Sequence, residues 1–211
     1  MGRLLSICCS WGKTQEAAAL LQVAAAFPQS QLAELASTGA AAGGASSDSN
    51  SGSSSNSSSA GLQIEVVEVK NTCPFGHSRR GGRLRTNEFA VADRGPRTAV
   101  PPEWVPQLQL HMLCAGTRSG LLVSRSATKG MRVFRMQRDD ELLRLMLLVI
   151  SRLWQQHVLP GRPPPADVYA SWHEHHDMMR RIREVANEAA LVVATEDMRH
   201  MPGGDSRWFL D

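Results

Sequence analysis

Near the middle of the chain, the run LQIEVVEVK at residues 62–70 constrains the fold most strongly. It has the composition of a β-strand, and its apolar residues fall on both sides. Ile64 and Val66 share one face, while Val67 and Val69 point to the other. A strand that is apolar on both faces needs packing layers on both sides, so we expect a central strand in an α/β fold.

The same run carries a charged pair, Glu68 and Lys70, on the face of Ile64 and Val66. A carboxylate at such a position can bind a hard divalent cation. The neighbouring ammonium can position a water or stabilise charge on a phosphate. The alternative for the pair alone is an exposed strand face with a modest ion pair.

Composition divides the chain into four parts. Residues 1–37 read as an N-terminal helical part, and residues 38–61 are so rich in Ser, Gly, Asn and Ala that we expect a disordered linker. Residues 62–160 carry the strand and helix patterns of a core. Residues 161–211 are expected to form a C-terminal helix and a tail.

Within the core, the segment HSRRGGRLR at residues 77–85 reads as a basic loop. A helix over 102–116, strands over 120–128 and 131–137, and a long helix after Asp139 follow, with Asp139 as the N-cap. A last helix is expected from about 166 to 194. Four methionines, at 112, 131, 136 and 146, are expected to fill the core.

Charge and cysteine content narrow the class of protein. The net charge of +3 is compatible with nucleic acid, and arginines interrupt the longest apolar run, so we expect no membrane span. The cysteines are Cys8, Cys9, Cys73 and Cys114, with no paired C-x-x-C spacing. They are expected to be reduced thiols in an intracellular protein, with no compartment indicated.

Three segments, EVKNTCPF, VPQLQLHMLCAG and FRMQRDDELLRLMLLVISRLWQQHV, stand in an order that resembles the YqaJ-type viral recombinases. These are relatives of phage lambda exonuclease in the PD-(D/E)XK nuclease superfamily. The matching residues are Glu68, Lys70, Cys73, Pro74, Gln107, Gln109, Met112, Arg138, Asp139 and Trp154. Leu153 replaces an aromatic residue, and Asn71 and Thr72 are inserted. The segment WGKTQEAAAL matches the first motif of the family, with Glu16 as its acid.

The resemblance implies a restriction-endonuclease-like core, in which helices flank a central mixed sheet. It also implies a metal-dependent DNA nuclease, an exonuclease acting on linear duplex ends in recombination or repair, and a possible homo-oligomer. The implied catalytic residues are Glu68, Lys70, Gln107 and Glu16, of which Glu68 and Glu16 would bind Mg²⁺ or Mn²⁺. The expected DNA contacts are Arg79, Arg80, Arg83, Arg85 and Gln109.

One motif of the family has no counterpart. Its metal-binding aspartate stands in a Ser-Pro-Asp-Gly hairpin between the first two motifs, where this chain has the Ser/Gly linker. The only acid there, Asp48, lacks the proline and the apolar flanks. We therefore expect a missing hairpin, an exposed sheet edge and too little negative charge for Mg²⁺.

Two other functions remain open. The chain could be a catalytically degenerate relative that only binds DNA or a protein partner. It could also be a helical scaffold with an incidental Glu-x-Lys pair, which predicts no basic cleft around Glu68. The histidines at 173, 175 and 176 indicate a polar helix face rather than a metal site. Cys73 and His77 lack the second ligand pair that structural zinc needs. His111, one turn after Gln107, is a further candidate.

Overall fold

The computed structural model describes residues 10–29, 64–80 and 83–195, apart from the side chains of 76–91. The expected linker at 38–61, with Asp48, and the expected tail after 195 lie outside the described residues.

A four-stranded sheet organises the described part of the chain, in the order β1 (Glu65–Asn71), β4 (Ser119–Arg125), β5 (Met131–Gln137) and β6 (Ala190–Thr195). β1 and β4 are parallel, with Glu68 opposite Leu122, while β5 is antiparallel to both β4 and β6. The result is a mixed sheet, which is the kind of sheet that the resemblance implies.

A parallel pair needs a crossover connection, which the helix α2 (Val105–Ala115) provides between β1 and β4. A 3₁₀ turn (Pro102–Trp104) leads into α2, and Gly116 ends it in the left-handed conformation, with φ of 69°. The predicted helix at 102–116 is therefore confirmed.

Helices cover the sheet on both faces. On one face α2, α3 (Asp140–Leu153) and α4 (His173–Glu188) form a core with Leu122 and Phe134 of the sheet. On the other face α1 (Glu16–Ala26) packs Val23 against Val67 and Val69. The predicted parity of the β1 side chains is confirmed, as is the packing of the N-terminal helix against the strand that carries Glu68.

The four predicted core methionines are all buried. Asp139 is the N-cap of α3, because its Oδ1 accepts from the Leu142 amide at 2.6 Å. After Leu153 the helix widens into a π-helical turn (Trp154–Val158). The amides of Leu159 and Arg162 each donate to the carbonyl five residues earlier, as in a π-helix.

The described residues of the basic segment, 77–80 and 83–85, do not lie in a loop. They belong to β2 (Phe75–Arg80) and β3 (Arg83–Val91), which pair antiparallel in a separate two-stranded sheet. In the sequence, the Gly81-Gly82 pair is a signal for a β-hairpin. The many charged residues around this pair favoured the prediction of a loop instead.

The C-terminal prediction was partly wrong. The last helix spans His173–Glu188, which is shorter than the predicted range of 166–194. The residues after it form β6, which pairs with β5. Val192 and Val193 are β-branched and favour a strand over a helix. Pairing with β5 stabilises the strand conformation at these residues.

β1 is not a central strand within the described part of the chain. Its only strand partner there is β4, so β1 forms one edge of the sheet while helices cover both its faces. The apolar pattern predicted the two covering layers correctly, but it carries no information about the number of neighbouring strands.

Candidate functional site

Glu68 and Lys70 lie on the face of β1 that is covered by α2. Their side chains form an ion pair, with Lys70 Nζ at 2.8 Å from Glu68 Oε1. Both are largely shielded, and the Glu68 side chain is only 12% exposed. The alternation of a β-strand places residues two apart on one side, which is the local reason for the pair.

The helix α2 adds two polar side chains to this pair. Lys70 Nζ also donates to Gln107 Oε1, and His111 Nδ1 lies 3.1 Å from Glu68 Oε2. Gln107 and His111 are four residues apart, so they project from one side of α2. The four residues Glu68, Lys70, Gln107 and His111 therefore form one constellation, which we call the strand–helix cluster.

This cluster has no excess of negative charge. The single carboxylate of Glu68 is balanced by the ammonium of Lys70, and each of its oxygens already has a partner. A neutral cluster attracts a divalent cation weakly, whereas its two basic side chains can donate to an anionic oxygen.

A magnesium site needs several oxygen ligands, usually with more than one carboxylate. Among the described side chains, those of residues 10–29, 64–75 and 92–195, no group of three or more His, Cys, Asp or Glu residues is placed to hold a metal ion. The described residues thus do not by themselves fit the Mg²⁺ or Mn²⁺ that the resemblance implies.

Glu16, the predicted second acid, is an exposed residue in the first turn of α1. The helical turn before it is fixed beside the end of β1, because Asn71 Nδ2 donates to the Gly12 carbonyl at 3.2 Å. Since α1 packs on the face opposite Glu68, the two acids approach the strand from different sides. The Glu16 carboxylate forms no hydrogen bond or ion pair within the described part of the chain, and its metal role stays a prediction.

Gln109, a predicted DNA contact, is fully buried. Its Nε2 donates to the Gln137 carbonyl at 2.9 Å, and its Oε1 accepts from the Asp139 amide at 2.8 Å. This side chain joins α2 to the connection between β5 and α3. A DNA contact is not available to it here, because both polar groups of its amide are already bonded inside the protein.

The other predicted DNA contacts lie on the β2–β3 hairpin. Arg79 and Arg80 are in β2, while Arg83 and Arg85 are in β3, and their side chains lie outside the described part. The hairpin begins four residues after the end of β1, with Cys73 and Pro74 between them. Their role in DNA binding stays a prediction.

One polar cluster was missed at the sequence level. Arg125, at the end of β4, is only 3% exposed, and its guanidinium donates to Gln22 Oε1 at 2.7 Å and Gln15 Oε1 at 3.0 Å. Burial lowers the pKa of Arg125. A signal was present, because Gln15 and Gln22 are seven residues apart and therefore share a face of an otherwise apolar helix.

No described helix is long and apolar enough to cross a membrane. Comparison with known protein families, with curated proteins and with solved structures finds no match to this chain. The resemblance to the nuclease family therefore stays a prediction from its motifs.

Proposed function

We propose that this chain is a DNA-binding relative of the YqaJ-type nucleases, with a PD-(D/E)XK-like core and an incomplete cleavage site. The observation that carries the proposal is the strand–helix cluster itself. It joins Glu68 and Lys70 of the Glu-x-Lys strand to Gln107 of the crossover helix, and it holds one carboxylate where metal-dependent cleavage needs more.

Two donors of the cluster suit a phosphate of the DNA backbone. The Lys70 ammonium can give a hydrogen bond to a phosphate oxygen, and so can Nε2 of the exposed His111 ring when the imidazole is protonated. Glu68 holds both donors in place through its two oxygens. Gln107 fixes Lys70 from the side of α2, so loss of any member loosens the others.

The edge position of β1 supports the same proposal. In this family the aspartate-bearing hairpin precedes the Glu-x-Lys strand, and β1 has no neighbour on that side among the described strands. In this proposal, the parallel β1–α2–β4 unit with Glu-x-Lys on its first strand is the described part of the chain that corresponds to such a core.

The test is binding of a short linear duplex by fluorescence anisotropy at low salt. Lys70→Ala should weaken binding severalfold, because one charge-assisted contact to phosphate is lost and the slope of affinity against salt falls by roughly one counterion. Arg183→Ala is the matched control. It removes an equal charge from an exposed position on α4, and it should leave affinity unchanged. Equal affinities of wild type and Lys70→Ala would contradict the proposal.

The second candidate is an active metal-dependent nuclease that acts on linear duplex ends. The close pairing of Glu68 and Lys70 favours it, because such pairs position water beside a metal-bound phosphate in metal-assisted hydrolysis. Digestion of linear duplex with Mg²⁺ or Mn²⁺ separates the two candidates. Degradation by the wild type that Lys70→Ala abolishes would establish the nuclease.

A further inference from the structure

The register of the sheet places a second basic residue close to Lys70. Lys70 of β1 pairs with Ser124 of β4, and Ser124 pairs with Arg132 of β5. Paired residues of neighbouring strands project from the same face of a sheet, so Arg132 shares the α2 face with Lys70. Because neighbouring strands lie about 4.8 Å apart, the Cα atoms of Lys70 and Arg132 are separated by roughly 10 Å.

A third cation lies over the same row of residues. The amide of Arg97, in the loop at 92–101 between β3 and the 3₁₀ turn, donates to Ser124 Oγ at 2.9 Å. Since Ser124 is the middle residue of the row and is fully buried, the Arg97 backbone covers the centre of the row. The Arg97 side chain is exposed. Lys70, Arg97 and Arg132 therefore lie on one face of the sheet, and we call these three residues the basic row.

The loop that carries Arg97 is anchored on both sides of this residue. Before it, the Asp93 carboxylate accepts from the Gly95 amide and from the Thr128 hydroxyl, each at 2.9 Å. Thr128 belongs to the turn between β4 and β5, so this contact ties the loop to the sheet. After Arg97, Val100 is buried in the core on the α2 face. A side chain on a backbone held in this way has less conformational freedom to lose on binding.

The charges of Arg97 and Arg132 are not balanced by acids in the part of the chain that the structure describes. Neither guanidinium forms an ion pair there, whereas Lys70 is paired with Glu68. The acid of the loop, Asp93, accepts hydrogen bonds from neutral groups of the protein with both of its oxygens. Two unbalanced arginines attract a polyanion, and each presents several N–H groups that fit phosphate oxygens.

We propose that the basic row binds a run of phosphates along one strand of DNA, so that Arg97 and Arg132 extend the phosphate contact of Lys70 across the sheet. This inference rests on the DNA binding proposed above, to which it adds two residues and a direction. A DNA strand carries one phosphate per about 3.4 Å of helix axis, so the row of roughly 10 Å spans about three phosphate steps. The DNA strand therefore crosses the sheet from β1 towards β5.

Fluorescence anisotropy of a short linear duplex over a salt series tests the two arginines. Arg97→Ala and Arg132→Ala should each weaken binding severalfold and reduce the slope of log affinity against log salt by roughly one. The chain with both changes should lose roughly two from the slope. Arg97→Lys keeps the charge and should keep the slope. Arg183→Ala, at an exposed position of α4, is the matched control and should change neither quantity.

The outcomes separate this inference from the proposed function. If Lys70→Ala weakens binding while Arg97→Ala leaves affinity and slope unchanged, the basic row is overturned and the proposed function stands. If Arg97→Ala weakens binding but Arg132→Ala does not, the direction across the sheet is overturned. A wild type that does not bind the duplex contradicts both proposals. Circular dichroism verifies the fold of each variant, and Arg132→Gln repeats the test if Arg132→Ala unfolds.

Discussion

Arg125 shows how a single buried residue holds the N-terminal helix to the sheet. Its partners, Gln15 and Gln22 of the helical segment, are neutral amides, and no carboxylate in the described part of the chain balances its charge. A buried charge without a counterion is costly, so each hydrogen bond to it contributes more than a surface bond does. This cluster joins parts of the chain more than a hundred residues apart.

We predict that Arg125→Ala destabilises the protein by about 2–3 kcal/mol, because it leaves buried amide oxygens without donors. Leu21→Ala, on the exposed side of α1, should change stability by less than about 0.5 kcal/mol. Urea denaturation followed by circular dichroism measures both. Equal stability of Arg125→Ala and the wild type would show that the amides find other partners.

Gln109 allows a second prediction at this scale. Gln109→Leu should cost about 1–3 kcal/mol of stability, because the Gln137 carbonyl and the Asp139 amide lose their partner. Affinity for linear duplex DNA, measured well below the unfolding transition, should not change. Weaker DNA binding in a variant of normal stability would instead support the prediction that Gln109 contacts DNA.

The position of the crossover helix α2 depends on its close packing against the sheet at Gly120 of β4. A Cβ at Gly120 of β4 would lie 2.9 Å from Leu108 Cδ1 and 3.2 Å from the Val66 carbonyl oxygen. The backbone oxygen cannot move aside as a flexible side chain can. A glycine at this position thus lets α2 lie close to β1, where Gln107 and His111 reach the Glu-x-Lys pair.

We predict that Gly120→Ala destabilises the fold by about 1–3 kcal/mol through overpacking. It should also weaken DNA binding by the folded protein, because α2 must move away from β1. Gly12→Ala is the matched control. It has open space around the new Cβ and lies in a helical turn, so it should stabilise by about 0.5–1 kcal/mol. Thermal unfolding and anisotropy measure the two effects, and an unaffected Gly120→Ala would contradict this packing.

The elements that the sequence predicted are those whose signals are local. The Asp139 cap, the Gly116 stop and the alternation in β1 are read within a few residues. β6 and the β2–β3 hairpin were missed because strands depend on partners elsewhere in the chain. In the site, Glu68, Lys70 and Gln107 were predicted together, whereas Arg125 was not, since its partners are distant in sequence.

For the molecule as a whole, the described layers bring a Glu-x-Lys strand and a polar helix face together without a second acid. The charge of Glu68 is already balanced by Lys70, so added Mg²⁺ gains little from the cluster. The net charge of +3 of the chain is compatible with the DNA binding that we propose. We therefore expect this protein to bind DNA without cleaving it efficiently.

The last prediction tests whether the protein binds DNA without cleaving it. It changes the Ser/Gly linker at 38–61, which lies between the first two motifs. The wild type should digest linear duplex slowly or not at all with Mg²⁺, and Asp48→Ala should change nothing, because its Ser/Gly neighbours oppose ordering in the cleft. An aspartate-bearing hairpin inserted between residues 37 and 62 should raise digestion at least about tenfold, or about 1.4 kcal/mol of barrier. Lys70→Ala in that same chain should remove the gain, which controls for contaminating nuclease. Rapid digestion by the unmodified chain that Asp48→Ala abolishes would instead identify Asp48 as the second acid and make the cleavage site complete.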